Sequence, residues 1–221
     1  MISIKNLYVS FTKEYDALHN INLEIEKGEK VAIVGEIESG KTTLLRVIAK
    51  LEDYKKGEIY INEDNLQKID YKTDVSLAYV PQMPVFMENK TVLENLQYVL
   101  KIRNYDMATI NYKILSALSN FNLEHLKNIK IKSLNRYQKI LIQLARISMR
   151  KADIYLIDDI LQDFSQSEQE QILEYLKMLI EENSESTFLF AITNEKYAKE
   201  LECKIIKLDR GSIKTTKKQI K

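Results

Sequence analysis

The sequence predicts an α/β fold, a mostly parallel sheet interrupted by a helical lobe, on three observations. First, the apolar run Lys30-Val31-Ala32-Ile33-Val34 passes through a short glycine-containing loop into residues 42–51, whose apolar positions have helical spacing. Second, residues 91–149 are mostly helical in pattern, with Val92, Leu93, Leu96, Val99 and Leu100 on one side. Third, strand-like runs return at 154–157, 187–192 and 204–208. Strands alternating with helices are the signature of a parallel sheet covered by helices.

The remaining elements fit that frame in order. Residues 2–7 and 21–25 alternate as half-buried strands do, and Glu26-Lys27-Gly28-Glu29 reads as the turn into the run at Val31. Residues 57–61 and 75–80 are two more strands. Between the returning strands, residues 168–180 are amphipathic, with Ile172, Leu173, Leu176, Leu179 and Ile180 on one face. A mostly parallel sheet holds its ligand at the C-terminal edge of the strands, which is where the loop after Val34 falls. There is no internal repeat, low-complexity tract or linker, and the basic stretch 214–221 reads as a frayed, solvated end.

At 221 residues the chain is long enough for one sizeable domain with a lobe inserted in it. The formal net charge of +1 gives no whole-chain attraction to nucleic acid, and no nucleic-acid partner is expected. The single cysteine, Cys203, has no internal partner for a disulfide, which points to a reducing compartment. No apolar run approaches the roughly 20 residues needed to span a bilayer, and residues 1–5 lack the layout of a signal peptide. Any membrane crossing is therefore expected from another chain. Only five glycines are present, so each is expected where a side chain does not fit.

Gly35-x-x-x-x-Gly40-Lys41-Thr42 has the pattern of a phosphate-cradling loop, with a strand before it and a helix after it. In such a loop successive backbone N–H groups and the helix N-terminus face the phosphates. Lys41 is expected to reach the β and γ phosphates, and the Thr42 hydroxyl to coordinate Mg²⁺. Glu38 is expected to point outward, since a carboxylate beside phosphates costs affinity. Asp158, closing the apolar run Ile154-Tyr155-Leu156-Ile157, is the expected acidic mate, holding Mg²⁺ directly or through water.

With these motifs, Val80-Pro81-Gln82, Thr91-Val92-Leu93-Glu94-Asn95-Leu96 and residues 204–213 complete a resemblance that runs from end to end. The chain resembles the ATP-binding subunit, or nucleotide-binding domain, of an ABC transporter. The resemblance implies a P-loop NTPase core of ABC ATPase type, with an N-terminal antiparallel β subdomain and an inserted helical subdomain. The core then takes residues 1–82 and 151–221, and the helical subdomain 83–150. ATP and Mg²⁺ are the implied cofactors, with Gly35, Glu38, Ser39, Gly40, Lys41, Thr42 and Thr43 around the phosphates and Thr42, Gln82 and Asp158 around the metal. Gln82 takes the place of the glutamine that contacts Mg²⁺ and the attacking water. Phe11 takes the place of the aromatic residue that stacks on adenine; Tyr15 is a second candidate, and either fits a packing role equally well.

Family members sandwich two ATP molecules in a dimer, each between one subunit's phosphate loop and its partner's Leu-Ser-Gly-Gly-Gln signature. Here that position reads Leu134-Asn135-Arg136-Tyr137-Gln138, so Asn135, Arg136 and Gln138 are the candidate contacts to the partner's nucleotide. Both glycines are gone, and Arg136 and Tyr137 are expected to obstruct the approach of backbone to phosphate. The family's Glu after the metal-binding Asp is Asp159, one methylene shorter. The next loop reads Gln162-Asp163-Phe164-Ser165 in place of Ser-Ala-Leu-Asp, with Asp163 a substitute for the lost aspartate. The family's Thr-His-Asp is Thr193-Asn194-Glu195, which leaves Asn194 as a neutral phosphate contact. Asp159, Gln82 and Asn194 are thus the candidate catalytic positions.

Binding parts are kept and hydrolytic parts altered together, so the expected function is an ATP-binding subunit of an ABC transporter with weak hydrolysis of its own. Its expected partners are transmembrane permease subunits and a second nucleotide-binding subunit, as a hetero- or homodimer, at the cytoplasmic face of the membrane. The alternatives are a low-turnover homodimeric ATPase with Asp159 as base, and a nucleotide-sensing regulator or scaffold. The segment from Gln82 to Asn95 is expected to meet the permease, with Met83, Val85, Phe86 and Met87 either exposed to it or packed under the lobe. The absence of a C-terminal regulatory extension leans toward export of peptides or small hydrophobic compounds.

Overall fold

The computed structural model describes residues 1–11 and 16–214. Tyr15 and residues 215–221 lie outside the described residues. The chain divides into two compact units, one comprising residues 1–79, 152–162 and 183–221, the other residues 80–151 and 163–182.

In the first unit, β1 (Ile2–Ser10) and β2 (Asp16–Ile25) pair antiparallel, burying Ile2, Ile4, Leu7 and Val9 against Leu18, Ile21, Leu23 and Ile25. Left-handed residues Asn6 (φ 48°) and Asn20 (φ 51°) sit where the pairing register slips. After β3 (Lys30–Val34) and α1 (Lys41–Ile48), β4 (Lys56–Ile61) joins the other edge of β1 and pairs in turn with β5 (Asp64–Asn65), giving an antiparallel sheet of order β2-β1-β4-β5. Asn62 (φ 50°) turns the chain between these last two strands. A Cβ on Gly57 would stand 2.6 Å from the Asn6 carbonyl oxygen, so this antiparallel sheet closes only over a bare α-carbon.

The second sheet holds β6 (Leu77–Val80), β7 (Ile154–Asp158), β8 (Thr187–Ile192), β9 (Lys204–Asp209) and β10 (Ser212–Ile213) around β3, in the order β10-β9-β3-β8-β7-β6. β3 runs parallel to both β8 and β9, β7 runs parallel to β8, and β10 returns antiparallel to β9. All residues of β7 and β8 are buried, as expected of parallel strands covered on both faces. The C-terminal ends of β3, β7 and β8 therefore deliver the loop after Val34, Asp158 and Thr193 to one edge. The short helix α6 (Glu195–Glu200) follows β8.

The second unit is helical: α2 (Val92–Lys101), α3 (Met107–Asn120), α4 (Arg136–Ser148) and α5 (Gln166–Glu182). Three of these four starts are written in the sequence. Thr91 and Glu94 cap α2 reciprocally, Asp106 caps α3, and Asn135 and Gln138 cap α4 reciprocally. The segment 81–90 has no helix or strand of its own and is held by its neighbours. Along one face of α4, Lys139 pairs with Glu88 at 2.9 Å, Gln143 donates to the Pro81 carbonyl at 3.1 Å, and Arg146 donates to the Val85 carbonyl at 2.9 Å while lying 4.6 Å over the Phe86 ring. From α2, the buried Asn95 accepts from the Met87 N–H and donates back to the Met87 carbonyl. Phe86 is half-buried under Arg146, whereas Met83, Val85 and Met87 stay exposed.

Candidate functional site

β3 ends at Val34 and the chain turns through residues 35–40 into α1. The turn is tight. A Cβ on Gly35 would stand 2.2 Å from the Leu208 carbonyl oxygen and 2.6 Å from Ser39 Oγ, and Gly40 precedes the helix with φ 101°. Glu38 is left-handed, with φ 65°, and exposed. Phe11, Ala17, Glu38, Ser39, Gly40, Lys41, Thr42 and Thr43 line a cavity of about 520 Å³. Phe11 is 55% exposed, a ring committed to no core and free to meet a flat ligand.

Two features of this cavity suit an anion. The hydroxyl of Ser39 is buried with no hydrogen-bond partner, a group that a phosphate oxygen would satisfy. Lys41 is buried, and its Nζ rests on the carbonyl oxygens of Gly35 at 2.7 Å and Glu36 at 2.8 Å. Burial lowers the Lys41 pKa, while the carboxylates of Asp159, Asp158 and Glu36 pull it the other way.

Beside the loop, the Thr42 hydroxyl donates to Asp158 Oδ1 at 2.9 Å and the Tyr79 hydroxyl donates to Asp158 Oδ2 at 3.1 Å. Burial raises the Asp158 pKa against these two bonds, so the carboxylate suits a cation that would offset its desolvation. The donors are all oxygen, the chemistry of a hard cation. Among the described residues no group of three or more His, Cys, Asp or Glu could hold a metal alone.

Asp159 leaves β7 with φ 42° and is buried. Its Oδ2 accepts from the Thr193 hydroxyl at 2.5 Å and from Gln162 Nε2 at 2.7 Å, and its Oδ1 accepts from the Thr193 N–H at 3.3 Å. Asn194 is exposed; its side-chain oxygen accepts from the Lys196 N–H at 3.0 Å and caps α6.

Gln82, Asn135, Arg136 and Gln138 belong to the helical unit. Gln82 is half-buried in the segment before α2. Asn135 and Gln138 are occupied with each other: Asn135 Oδ1 accepts from the Gln138 N–H at 2.8 Å, and Gln138 Oε1 from the Asn135 N–H at 3.1 Å. Arg136 lies 4.8 Å over the Phe164 ring and donates to Asp163 at 3.3 Å, while its Nε is buried without a partner. Tyr137 meets Phe164 edge-on at 6.0 Å and donates to Gln171. Asp163, expected as a substitute dimer contact, is thus engaged by Arg136 of its own chain.

The structure therefore brings together Phe11, the loop 35–43 and Asp158, with Asp159 at the same sheet edge. Three residues that sequence reasoning did not single out join them: Tyr79 on Asp158, and Gln162 and Thr193 on Asp159. Tyr79 sits three positions before Gln82 in a strand, and that strand-end position was its one available signal.

Comparison with known proteins agrees with this geometry. Residues 18–162 match the family model described as ABC transporter. The sn-glycerol-3-phosphate import ATP-binding protein UgpC of Burkholderia ambifaria is 34% identical over 158 residues, covering 72% of this chain and 44% of that protein. The sulfate/thiosulfate import ATP-binding protein CysA of Synechocystis is 29% identical over 212 residues, covering 96% of this chain and 59% of that protein. The chain spans about half the length of the curated relatives it matches. Among solved structures, the dimeric ATP-binding cassette MJ0796 bound to ADP and Pi superposes with a TM-score of 0.84 at 28% identity, covering 97% of each chain. No described helix is long and apolar enough to cross a membrane. By its matched residues, its two-sheet fold and its phosphate loop, the chain belongs to the ABC transporter family.

Proposed function

We propose that this chain is an ATP-binding subunit of an ABC transporter, binding MgATP at a dimer interface to drive or gate transport as the weakly hydrolysing member of a pair. The observation that carries the reading is the cavity over residues 38–43, where an unpartnered Ser39 hydroxyl and the buried Lys41 ammonium stand beside the Thr42–Asp158 pair. Phe11 at its rim is the platform for the adenine ring. Backbone N–H groups at the start of α1, Ser39 and Lys41 hold the phosphates, and Thr42 and Asp158 hold the metal. Held there, Mg²⁺ would supply charge neutralisation to the phosphates.

Weak hydrolysis is supported by what replaces the hydrolytic groups. Asp159 is hydrogen-bonded within its own chain, Asn194 carries no cationic charge, and Arg136 and Tyr137 occupy the two positions where the family has glycine. The partners we assign are transmembrane permease subunits and a second nucleotide-binding subunit, with the chain peripheral to the cytoplasmic face. The exposed Met83, Val85 and Met87 are the surface we assign to the permease. The curated relatives are import proteins by name, which favours import over the export that the sequence leaned toward.

Two measurements test the reading. A fluorescent ATP analogue should bind the purified chain in a Mg²⁺-dependent way, and Lys41→Ala should weaken binding at least tenfold, roughly the 1.4 kcal/mol expected of a charge-assisted contact. In the assembled transporter, Lys41→Ala in this chain should leave measurable turnover at the partner's site; a fall to background would reject the weak-member reading. A low-turnover homodimer is the second reading, favoured by the carboxylate that persists at 159. It requires the chain alone to dimerise with ATP and release phosphate, and Asp159→Asn to abolish that release.

A further inference from the structure

The carboxylate of Asp159 accepts three hydrogen bonds from two residues. The Thr193 hydroxyl and Gln162 Nε2 both reach Oδ2, at 2.5 and 2.7 Å, and the Thr193 N–H reaches Oδ1 at 3.3 Å. Gln162 Nε2 also donates to Thr193 Oγ1 at 2.7 Å, which closes the three side chains into a triangle. The backbone supports the same arrangement. Asp159 takes a left-handed φ of 42°, and its N–H donates to the Ala191 carbonyl at 3.0 Å. An aspartate at a left-handed φ, a region that favours glycine, held by four hydrogen bonds and buried, is fixed in one orientation.

A carboxylate offers about four lone-pair positions. A general base must aim an open one at the proton it takes, within about 2.6–3.2 Å. Three of the positions at Asp159 are committed to Thr193 and Gln162, so the group that would serve as base is turned toward β8 instead.

We infer that Gln162 and Thr193 are positioning residues that form a brake on hydrolysis, by holding the Asp159 carboxylate away from the attacking water. The inference rests on the MgATP-binding reading above. With the brake released, Asp159 takes a proton from water as the water oxygen bonds to the γ-phosphorus. The bond between that phosphorus and the β–γ bridging oxygen breaks, ADP and inorganic phosphate leave, and the proton passes to solvent. Slow turnover is then set by two removable side chains, not only by the missing methylene at position 159.

The test is single-turnover phosphate release by the assembled transporter at saturating MgATP, with the phosphate-loop lysine of the second nucleotide-binding subunit replaced so that only this chain's site turns over, and with binding of a fluorescent ATP analogue measured on the same samples. Gln162→Met and Thr193→Val remove the donors while keeping side-chain volume, and circular dichroism checks folding; Gln162→Ala is a second variant at that site. The Gln162→Met/Thr193→Val pair should raise the rate at least tenfold, the low end of what a working general base contributes. Adding Asp159→Asn should cancel the gain, and Thr193→Ser, which restores the donor, should return the low rate. An unchanged rate with binding intact overturns the brake alone, as does a gain that survives Asp159→Asn. Failure of the wild-type chain to bind MgATP overturns the binding reading and the brake with it.

Discussion

Gln143, fully buried in the middle of α4, donates from Nε2 to the Pro81 carbonyl at 3.1 Å, and its own Oε1 has no partner. The bond ties the residue before Gln82 to the helix whose first turn carries Arg136 and Gln138. The unsatisfied oxygen is a cost of about 1–3 kcal/mol that a well-packed apolar side chain avoids. Replacing Gln143 by Leu should therefore leave stability within about 1 kcal/mol of wild type, the lost bond offsetting the relieved oxygen. Gln143→Ala should cost about 2 kcal/mol or more, because it leaves a cavity as well. Urea unfolding of the two variants separates these outcomes.

Gly35→Ala is expected to damage the loop itself. Its Cβ would stand 2.2 Å from a backbone oxygen, where relief requires β9 or the loop to move. Overpacking of this kind costs about 1–3 kcal/mol. The variant should melt lower than wild type and lose the rise in melting temperature on adding MgATP.

Stability in acid should fall through the helix starts. Backbone and hydroxyl donation from Thr91 and the Lys90 ammonium beside it hold Glu94 down to about 2, from an ordinary 4.5. Glu195 is held to about 2 by Lys207 and Lys199. A depressed carboxylate stabilises the fold above its unfolded pKa and loses that contribution as pH falls through the folded one, here between about 4.5 and about 2. Glu94→Gln keeps a capping side chain without a titrating group. The midpoint of urea unfolding should drop less steeply over that window in Glu94→Gln than in wild type, with Glu195 supplying the slope that remains.

Cys203 should resist alkylation. Burial pushes its thiol up to about 12, and its Sγ lies 3.6 Å from the Leu201 carbonyl oxygen. Thiolate is the reactive form, so iodoacetamide labelling at pH 8 should run at least about tenfold slower than for a free thiol. Mass spectrometry of the native and urea-unfolded chain gives the comparison.

What was legible in the sequence was whatever is local. The loop 35–43 could be read because its strand, glycines and helix lie in one contiguous stretch, and Asp158 because it closes an apolar strand. The cap of α4 was equally readable, since Asn135 and Gln138 have the three-residue spacing of a capping box. The sequence offered these two as nucleotide contacts, and the structure finds the oxygen of each occupied by the other's N–H. Tyr79 was not legible, because its partner Asp158 lies 79 residues away and only strand order brings them together. Thr193 reaches Asp159 across 34 residues for the same reason. Arg136 read as a contact to a partner's nucleotide and an obstruction to the backbone's approach, and its stacking on Phe164 depended on the packing of α4 with α5.

Asparagine stands at left-handed backbone positions 6, 20 and 62 in the antiparallel sheet, where many chains place glycine. An asparagine tolerates such a position at modest strain because its side chain bonds locally, and Asn20 does so here, its Oδ1 accepting from Asn22 Nδ2 at 3.2 Å. Glycine would relax the folded turn but enlarge the set of conformers open to the denatured chain, a difference of about 0.4–1 kcal/mol at each compatible site. With glycine so sparingly used, the unfolded ensemble begins narrower. Part of what keeps this sheet folded is entropy already absent from the disordered chain before any strand pairs.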